Sequence, residues 1–169
     1  MRLFPYFQES KITVFKEKRT RKSDQLSAQF DEGKKLLELF KNGHSKIEDI
    51  FDIDQLAKFY VVLELSGSGH GLRWHNRRFY YNPINQKLEH VAYDLLPFIQ
   101  GRNFKCHMLS RLKEKARIRE FCFDNAIIYN KEFQTKYLYY LEQKTKPEYL
   151  DSVFSELSEV LNLAEDAIQ

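Results

Sequence analysis

The feature that most constrains this sequence is a strongly apolar helical stretch with an abrupt stop at mid-chain. Residues 55–65 are apolar nearly all the way round a helix, so this helix is predicted to lie in the core. Asp52 and Asp54 offer oxygens that can cap its start. Three glycines within residues 66–71 then end it, because glycine makes a helix interior costly. This helix is therefore predicted to belong to the core, and the helical pattern to stop at residues 66–71.

The segment that follows has the pattern of a β-hairpin. Residues 78–82 and 88–93 have strand composition, and turn-forming residues lie between them. Asn76 precedes the first strand, and Asp94 ends the second. Because paired hairpin strands run in opposite directions, these two side chains are expected to lie side by side. Two converging side-chain oxygens of this kind suit Mg²⁺, with water and phosphate filling the other positions.

Helical periodicity accounts for most of the remaining chain. It runs from Asp24 to the Asn42-Gly43 stop, over residues 133–141 and over residues 150–168, where Thr145 is predicted to cap the last helix. A weaker, basic amphipathic pattern covers residues 109–116, and residues 11–15 predict a short strand or extended arm. We therefore expect a mainly α fold with an embedded β-hairpin (α+β). A basic N-terminal strand or arm would occupy residues 1–22, and a single helical domain residues 23–169, with the hairpin near 77–94.

Composition excludes several classes of protein. No apolar run of the 169 residues approaches the roughly 20 needed to cross a bilayer, so no membrane span is expected. The N-terminus does not resemble a signal peptide, which predicts a cytoplasmic protein as expressed. No zinc is expected, because His70, His75 and His90 fit no standard ligand spacing. Cys106 and Cys122 are most simply small buried side chains.

The net charge of +3 hides an asymmetry along the chain. Residues 148–169 carry six acidic side chains and no Lys or Arg, so the rest of the chain carries a net charge of +9. Arginines and aromatic residues alternate loosely over residues 73–81, as they do in single-strand nucleic-acid binders. That segment has no recognisable nucleic-acid motif, and the pI of about 8.7 is modest. A basic nucleic-acid-binding module is therefore an alternative that the sequence does not favour.

Several of these segments resemble a known family. Residues 51–60, the glycine-rich turn, residues 74–83 (WHNRRFYYNP) and residues 88–94 (LEHVAYD) look like the central signature of the spore-coat protein H (CotH) kinase-like proteins. Two later stretches, 131–141 and 147–150, are similar to the helical end of bacterial members. The resemblance covers most of residues 24–163, in patches.

The resemblance implies the C-terminal lobe of an atypical protein-kinase-like fold and an ATP-dependent Ser/Thr protein phosphotransferase. Asn76 and Asp94 would match the family's metal ligands and would hold Mg²⁺ and, through it, ATP. Members thought to be active also carry an Asp several residues before the Asn, but here no carboxylate lies between Glu64 and Asn76. His70 is the possible substitute base. The family's nucleotide-covering front lobe would precede Asp24, where this sequence has 23 residues and no glycine-rich loop.

Two hypotheses therefore share this fold. The first is a kinase-like fragment that retains a Mg-nucleotide pocket and works with a protein substrate or a missing kinase lobe. The second is a degenerate pseudokinase whose helices serve interaction or scaffolding. Catalysis by this chain alone is not expected, because phosphoryl transfer relies on positioning and charge neutralisation. The oligomeric state stays open, and so does export, which the resemblance allows for full-length relatives.

Overall fold

The computed structural model describes residues 10–72, 74–95 and 123–166, a mainly helical fold with a two-stranded antiparallel hairpin. The predicted α+β class is thereby confirmed. The helices are α1 (Glu17–Thr20), α2 (Asp24–Lys41), α3 (Ile47–Ile50), α4 (Ile53–Leu65), α5 (Phe123–Ile128), α6 (Lys131–Lys144) and α7 (Pro147–Asp166). Two 3₁₀ turns, Gly69–Leu72 and Trp74–Asn76, lead from α4 into strands β1 (Arg78–Asn82) and β2 (Lys87–Val91).

Helix α4 is the buried centre of the fold, as its apolar sequence predicts. Its first turn is capped by Asp52, whose Oδ1 accepts a hydrogen bond of 3.0 Å from the backbone N–H of Gln55. Tyr60 and Val61 are fully buried. Helix α6 packs along α4, where the ring of Tyr60 meets that of Phe133 edge to face at a centroid distance of 5.5 Å. The core thus forms around α4, with α6 on one side.

The hairpin closes another side of this core. Phe79 pairs with His90 across the strands, and its ring lies 5.9 Å from that of the buried Phe51. Tyr80, the next residue, is 53% exposed, as alternation along a strand requires. Helix α2 packs on both strands, and it comes closest at Gly33, where an added Cβ would lie 3.1 Å from the Cβ of Tyr81. The hairpin is therefore held firmly against the helices. Asn76 lies in the 3₁₀ turn just before β1, and Asp94 lies three residues after β2, which ends earlier than the predicted residue 93.

The N-terminal segment does not form the short strand that the pattern of residues 11–15 allowed. Residues 11–14 have no regular secondary structure, so the short strand is not formed there. The buried Lys41 donates a hydrogen bond of 2.9 Å to the carbonyl oxygen of Ser10, and Thr20 donates to that of Phe15. Side chains rather than a neighbouring strand thus hold this arm, and the charged run after it contains the short helix α1.

The C-terminal helices are present as predicted, but the predicted cap is wrong. The hydroxyl of Thr145 donates to the carbonyl oxygens of Leu141 and Glu142, which extends the end of α6 instead of capping α7. Helix α7 buries none of its residues. Within the described ranges, no helix is long and apolar enough to cross a membrane. The basic amphipathic pattern at 109–116 and both cysteines fall outside the described residues.

Candidate functional site

The structure brings together the three residues singled out in the sequence: His70, Asn76 and Asp94. The side-chain nitrogen of Asn76 donates to Oδ2 of Asp94 over 3.1 Å and to the carbonyl oxygen of His70 over 3.2 Å. Asn76 is only 5% exposed, whereas the side chain of Asp94 is 42% exposed. The cluster therefore combines a fixed amide at its base with a carboxylate that solvent can reach.

His70 fastens this cluster from the other side. Its Nδ1 lies 3.0 Å from the backbone carbonyl oxygen of Asp94 and 3.3 Å from the Asp94 carboxylate. The same Nδ1 lies 3.0 Å from the side-chain nitrogen of Asn76, so whether it donates or accepts depends on the tautomer and on how the Asn76 amide is turned. The sequence suggested His70 as a substitute base and gave no sign of its contact with Asp94. The imidazole holds the backbone and carboxylate of Asp94 in place.

The backbone around Asp94 and Gly71 allows the segment after β2 to pack closely on the 3₁₀ turn. Asp94 has a left-handed conformation, with φ of 48°, which Asp adopts more readily than most residues. Gly71 allows the 3₁₀ turn to pack beneath it, because an added Cβ would lie 3.2 Å from the carbonyl oxygen of Tyr93 and 2.7 Å from Cδ2 of Leu95. The glycine-rich turn that ends α4 thus also lets the end of the hairpin come near His70 and Asn76.

The residues present fit a small divalent cation that is completed by an outside ligand. Turning the Asn76 amide over would put its oxygen where the nitrogen is, 3.1 Å from Oδ2 of Asp94. Adjacent oxygen ligands around Mg²⁺ are about 3.0 Å apart for bonds of about 2.1 Å. The same rotation would bring the amide oxygen of Asn76 close to the carbonyl oxygen of His70. A nearby cation would stabilise two oxygens that lie so close together. One carboxylate and one amide would leave most of the coordination sphere to water and phosphate.

The described residues do not form a complete protein-built metal centre. Nowhere in the described ranges do three or more His, Cys, Asp or Glu side chains group so that they could hold a metal ion. His90 is half-buried beside the hydrophobic core, where its ring stacks on Phe59 at a centroid distance of 4.9 Å. The ring of His75 lies 6.1 Å from that of His70. A cation at this site would therefore depend on the ligands that it brings with it.

The arginines beside the site are engaged within the protein. Arg77 donates to the hydroxyl of Tyr60 over 3.3 Å. Arg78 donates to the backbone carbonyl oxygens of His75 and Arg77, and its guanidinium lies 4.5 Å from the centre of the Tyr93 ring. Arg73, the third basic residue of this stretch, is outside the described residues. These contacts position the turn before β1, which carries Asn76.

A second polar cluster, which the sequence analysis missed, links α4 to α6. Asp54 receives hydrogen bonds from Lys58 at 2.6 Å and from the Tyr140 hydroxyl at 2.6 Å, and Lys136 lies 3.3 Å away. The Lys58 and Tyr140 hydrogen bonds lower the pKa of Asp54 to about 2. The hydrogen bond between Tyr140 and Asp54 also raises the pKa of Tyr140. The four-residue spacing of Asp54 and Lys58 could have indicated their ion pair on one helix face. The contact with Tyr140 spans 86 positions, so no local pattern indicates it.

Comparisons with known proteins return no match: no protein-family model, curated protein or solved structure matches this chain.

Proposed function

We propose that this domain binds a divalent cation together with the phosphates of a nucleotide, as a kinase-like fragment that is not catalytic on its own. One observation carries the proposal: the Asn76 amide and the Asp94 carboxylate converge to 3.1 Å at the mouth of the hairpin. The CotH-like signature around these two residues supports the assignment of Mg²⁺ and ATP. The site chemistry supports it as well, because it supplies two ligands and leaves room for phosphate oxygens.

Each residue would have a distinct part in binding. Asp94 would supply the negative charge and Asn76 a neutral oxygen, while His70 would hold Asp94 through its backbone carbonyl. The bound cation would neutralise the nucleotide phosphates. With a single carboxylate in the protein, the cation alone would bind weakly. We therefore expect Mg²⁺ and nucleotide to bind together and each to depend on the other.

The same residues argue against phosphoryl transfer by this chain alone. Among the described residues, the site contains one carboxylate, and that carboxylate is assigned to the cation. His70, the candidate substitute base, is engaged through Nδ1 with both Asp94 and Asn76. A base without a surface that positions the transferred phosphoryl group would accelerate the reaction little. A protein substrate or a complementary kinase lobe would have to supply the rest.

A second candidate function is a non-catalytic interaction domain. The observation that favours it is helix α7, which buries none of its residues and leaves most of its apolar side chains exposed. In that case the Asn76–Asp94 hydrogen bond would be a structural tie between the two ends of the hairpin. The two candidates differ in whether Mg²⁺ and nucleotide stabilise the fold.

Thermal unfolding of the full chain with and without Mg²⁺ and ATP tests the proposal. A ligand at about 100 times its dissociation constant stabilises a protein by about 2.7 kcal/mol, so Mg-ATP is expected to raise Tm by several degrees. ATP with EDTA should not. Asp94→Asn should remove the shift, because it keeps the shape and tolerates the left-handed backbone but loses the charge. The matched control Asp49→Asn alters an exposed Asp on α3 and should keep it. Equal shifts in both variants, or no shift in the native chain, would refute the proposal.

A further inference from the structure

A groove of about 790 Å³ runs between the N-terminal arm, helix α2 and strand β1. Its basic lining residues are Lys11, Lys34, Lys41, Arg77 and Arg78. Among the described residues, no Asp or Glu lines it. A lining with cations and no carboxylate favours an acidic partner.

Two of these cations are available to a partner. Lys11 and Lys34 are exposed, and neither makes an ion pair with another described residue. Lys41, by contrast, is buried, pairs with Glu38 at 3.5 Å and holds the arm through Ser10. The available charge therefore comes from the arm on one wall of the groove and from α2 on the other.

The groove is also apolar. Its lining includes the side chains of Ile12, Val14, Phe15, Leu26, Phe30 and Leu37. Phe15 is 74% exposed and Leu26 is 40% exposed. A fully solvated anion such as free phosphate would satisfy the lysines but would leave this apolar surface in water. The groove suits a partner that is both acidic and apolar.

Helix α7 has the complementary character. Its 20 residues include six carboxylates and neither Lys nor Arg: Glu148, Asp151, Glu156, Glu159, Glu165 and Asp166. A stripe at spacings of four, three and four residues is exposed by 59%, 60%, 45% and 47% at Leu150, Phe154, Leu157 and Leu161. Such a helix normally buries its stripe in an apolar groove.

We infer that α7 of one molecule docks in the cationic groove of a second copy, and that the reciprocal contact closes a dimer. Within its own chain, α7 follows α6 after only Thr145 and Lys146, and α6 is packed against α4. In this arrangement α7 lies outside its own groove and is offered to another molecule. A two-fold axis would place the α7 helix of each copy in the groove of the other, so that the same contact forms twice in the dimer.

The inference does not depend on the proposed nucleotide site, because Asn76 and Asp94 do not line the groove. It also explains two exposed surfaces together, namely the cationic groove and the apolar stripe of α7. The acidic flanks of α7 would face Lys11 and Lys34, and its stripe would cover Phe15 and Leu26. Charge complementarity of this kind mainly sets partner choice and association rate, while the apolar contact supplies affinity.

Sedimentation of the full chain between about 1 µM and 1 mM tests the inference, because specific weak dimers fall within that range. We expect a monomer–dimer equilibrium that weakens in high salt. Lys11→Glu with Lys34→Glu should raise the dissociation constant about tenfold or more. Glu156→Lys with Glu159→Lys should do the same, and the four changes together should restore dimerisation. The control Lys46→Glu changes an exposed lysine outside the groove and should leave the equilibrium unchanged.

An apolar pair of variants completes the test. Phe154→Ser should abolish the dimer, whereas Leu138→Ser, at a leucine on α6 that is 49% exposed, should preserve it. Circular dichroism would check that each variant is folded. A chain that is monomeric throughout the concentration range would overturn the inference, whatever else occupies the groove. A dimer that tolerates both charge reversals and Phe154→Ser would overturn it too.

Discussion

The Asn76 side-chain nitrogen donates to Oδ2 of Asp94 at 3.1 Å, although the two residues are 18 positions apart in the chain. This contact joins the turn before β1 to the segment after β2. In the cation-free protein it is a hydrogen bond between a buried amide and an open carboxylate. In the proposed complex the amide would turn over, and a cation would replace that hydrogen bond. Variants at the site should distinguish these two states.

Replacing Asn76 with Asp should destabilise the protein without a cation and should strengthen the binding of Mg²⁺. Without Mg²⁺, Asn76→Asp would remove the donor to Asp94 and set two carboxylates about 3 Å apart, which we expect to cost about 1–3 kcal/mol. With Mg²⁺ the same variant would offer a second anionic ligand and bind the ion more tightly than the native chain. Urea unfolding with EDTA and with Mg²⁺ measures both effects.

The control for this experiment is Asn76→Ala, which removes the amide without adding a ligand. It should be destabilised, and Mg²⁺ should not rescue it. If Mg²⁺ fails to stabilise Asn76→Asp more than Asn76→Ala, then the Asn76–Asp94 contact is structural only.

Gly71 should be needed for the site rather than for the fold as a whole. In Gly71→Ala the new Cβ would crowd the carbonyl oxygen of Tyr93 and the end of the Leu95 side chain, so this segment must shift. We expect a loss of about 1 kcal/mol in stability and a larger proportional loss of Mg-ATP affinity. Calorimetric titration checks the affinity. An unchanged affinity would show that Gly71 does not position Asp94.

The arrangement at the hairpin was accessible from sequence because it depends on local geometry. The stop after α4, the strand pattern and the antiparallel rule together placed Asn76 beside Asp94. The contribution of His70 was not accessible, since it depends on how a 3₁₀ turn folds back on the residue after a strand. The groove was equally hidden, because its walls come from an arm, a helix and a strand that are distant in sequence.

Asp54 gives a prediction for the acid stability of the fold. Its pKa is lowered to about 2 from 3.8, so the stabilisation by Lys58 and Tyr140 is fully present above about pH 4 and is lost as pH falls towards 2. Asp54→Asn should therefore cost about 0.5–1 kcal/mol at pH 7, since its side chain is one-third exposed and solvent screens the pairs. The difference from the native chain should shrink as pH falls towards 2.

Urea unfolding at pH 7 and pH 2.5 measures this difference. Asp49→Asn, in the first turn of α3, is the matched control and should show a smaller cost at both pH values. A cost for Asp54→Asn that persists undiminished at low pH would mean that packing rather than charge explains it.

Two helix ends show what local sequence signals can and cannot predict. Helix boundaries followed from local signals such as Ser23, which caps α2 by accepting from the backbone N–H of Leu26. The hydroxyl of Thr145, in contrast, had two helices within reach and bonded to the end of α6. A choice between two neighbouring partners depends on tertiary geometry, which the spacing of residues does not encode.

The most direct test of the central claim is an electron paramagnetic resonance titration of the full chain with Mn²⁺ as the probe, in the absence and presence of ATP. The account predicts that Mn²⁺ alone binds weakly, that ATP strengthens binding, and that Asp94→Asn lowers the Mn-ATP affinity about tenfold or more, whereas Asp49→Asn leaves it intact. Mn-ATP affinity that is absent, or equal in both variants, would contradict the assignment of Asn76 and Asp94 as cation ligands.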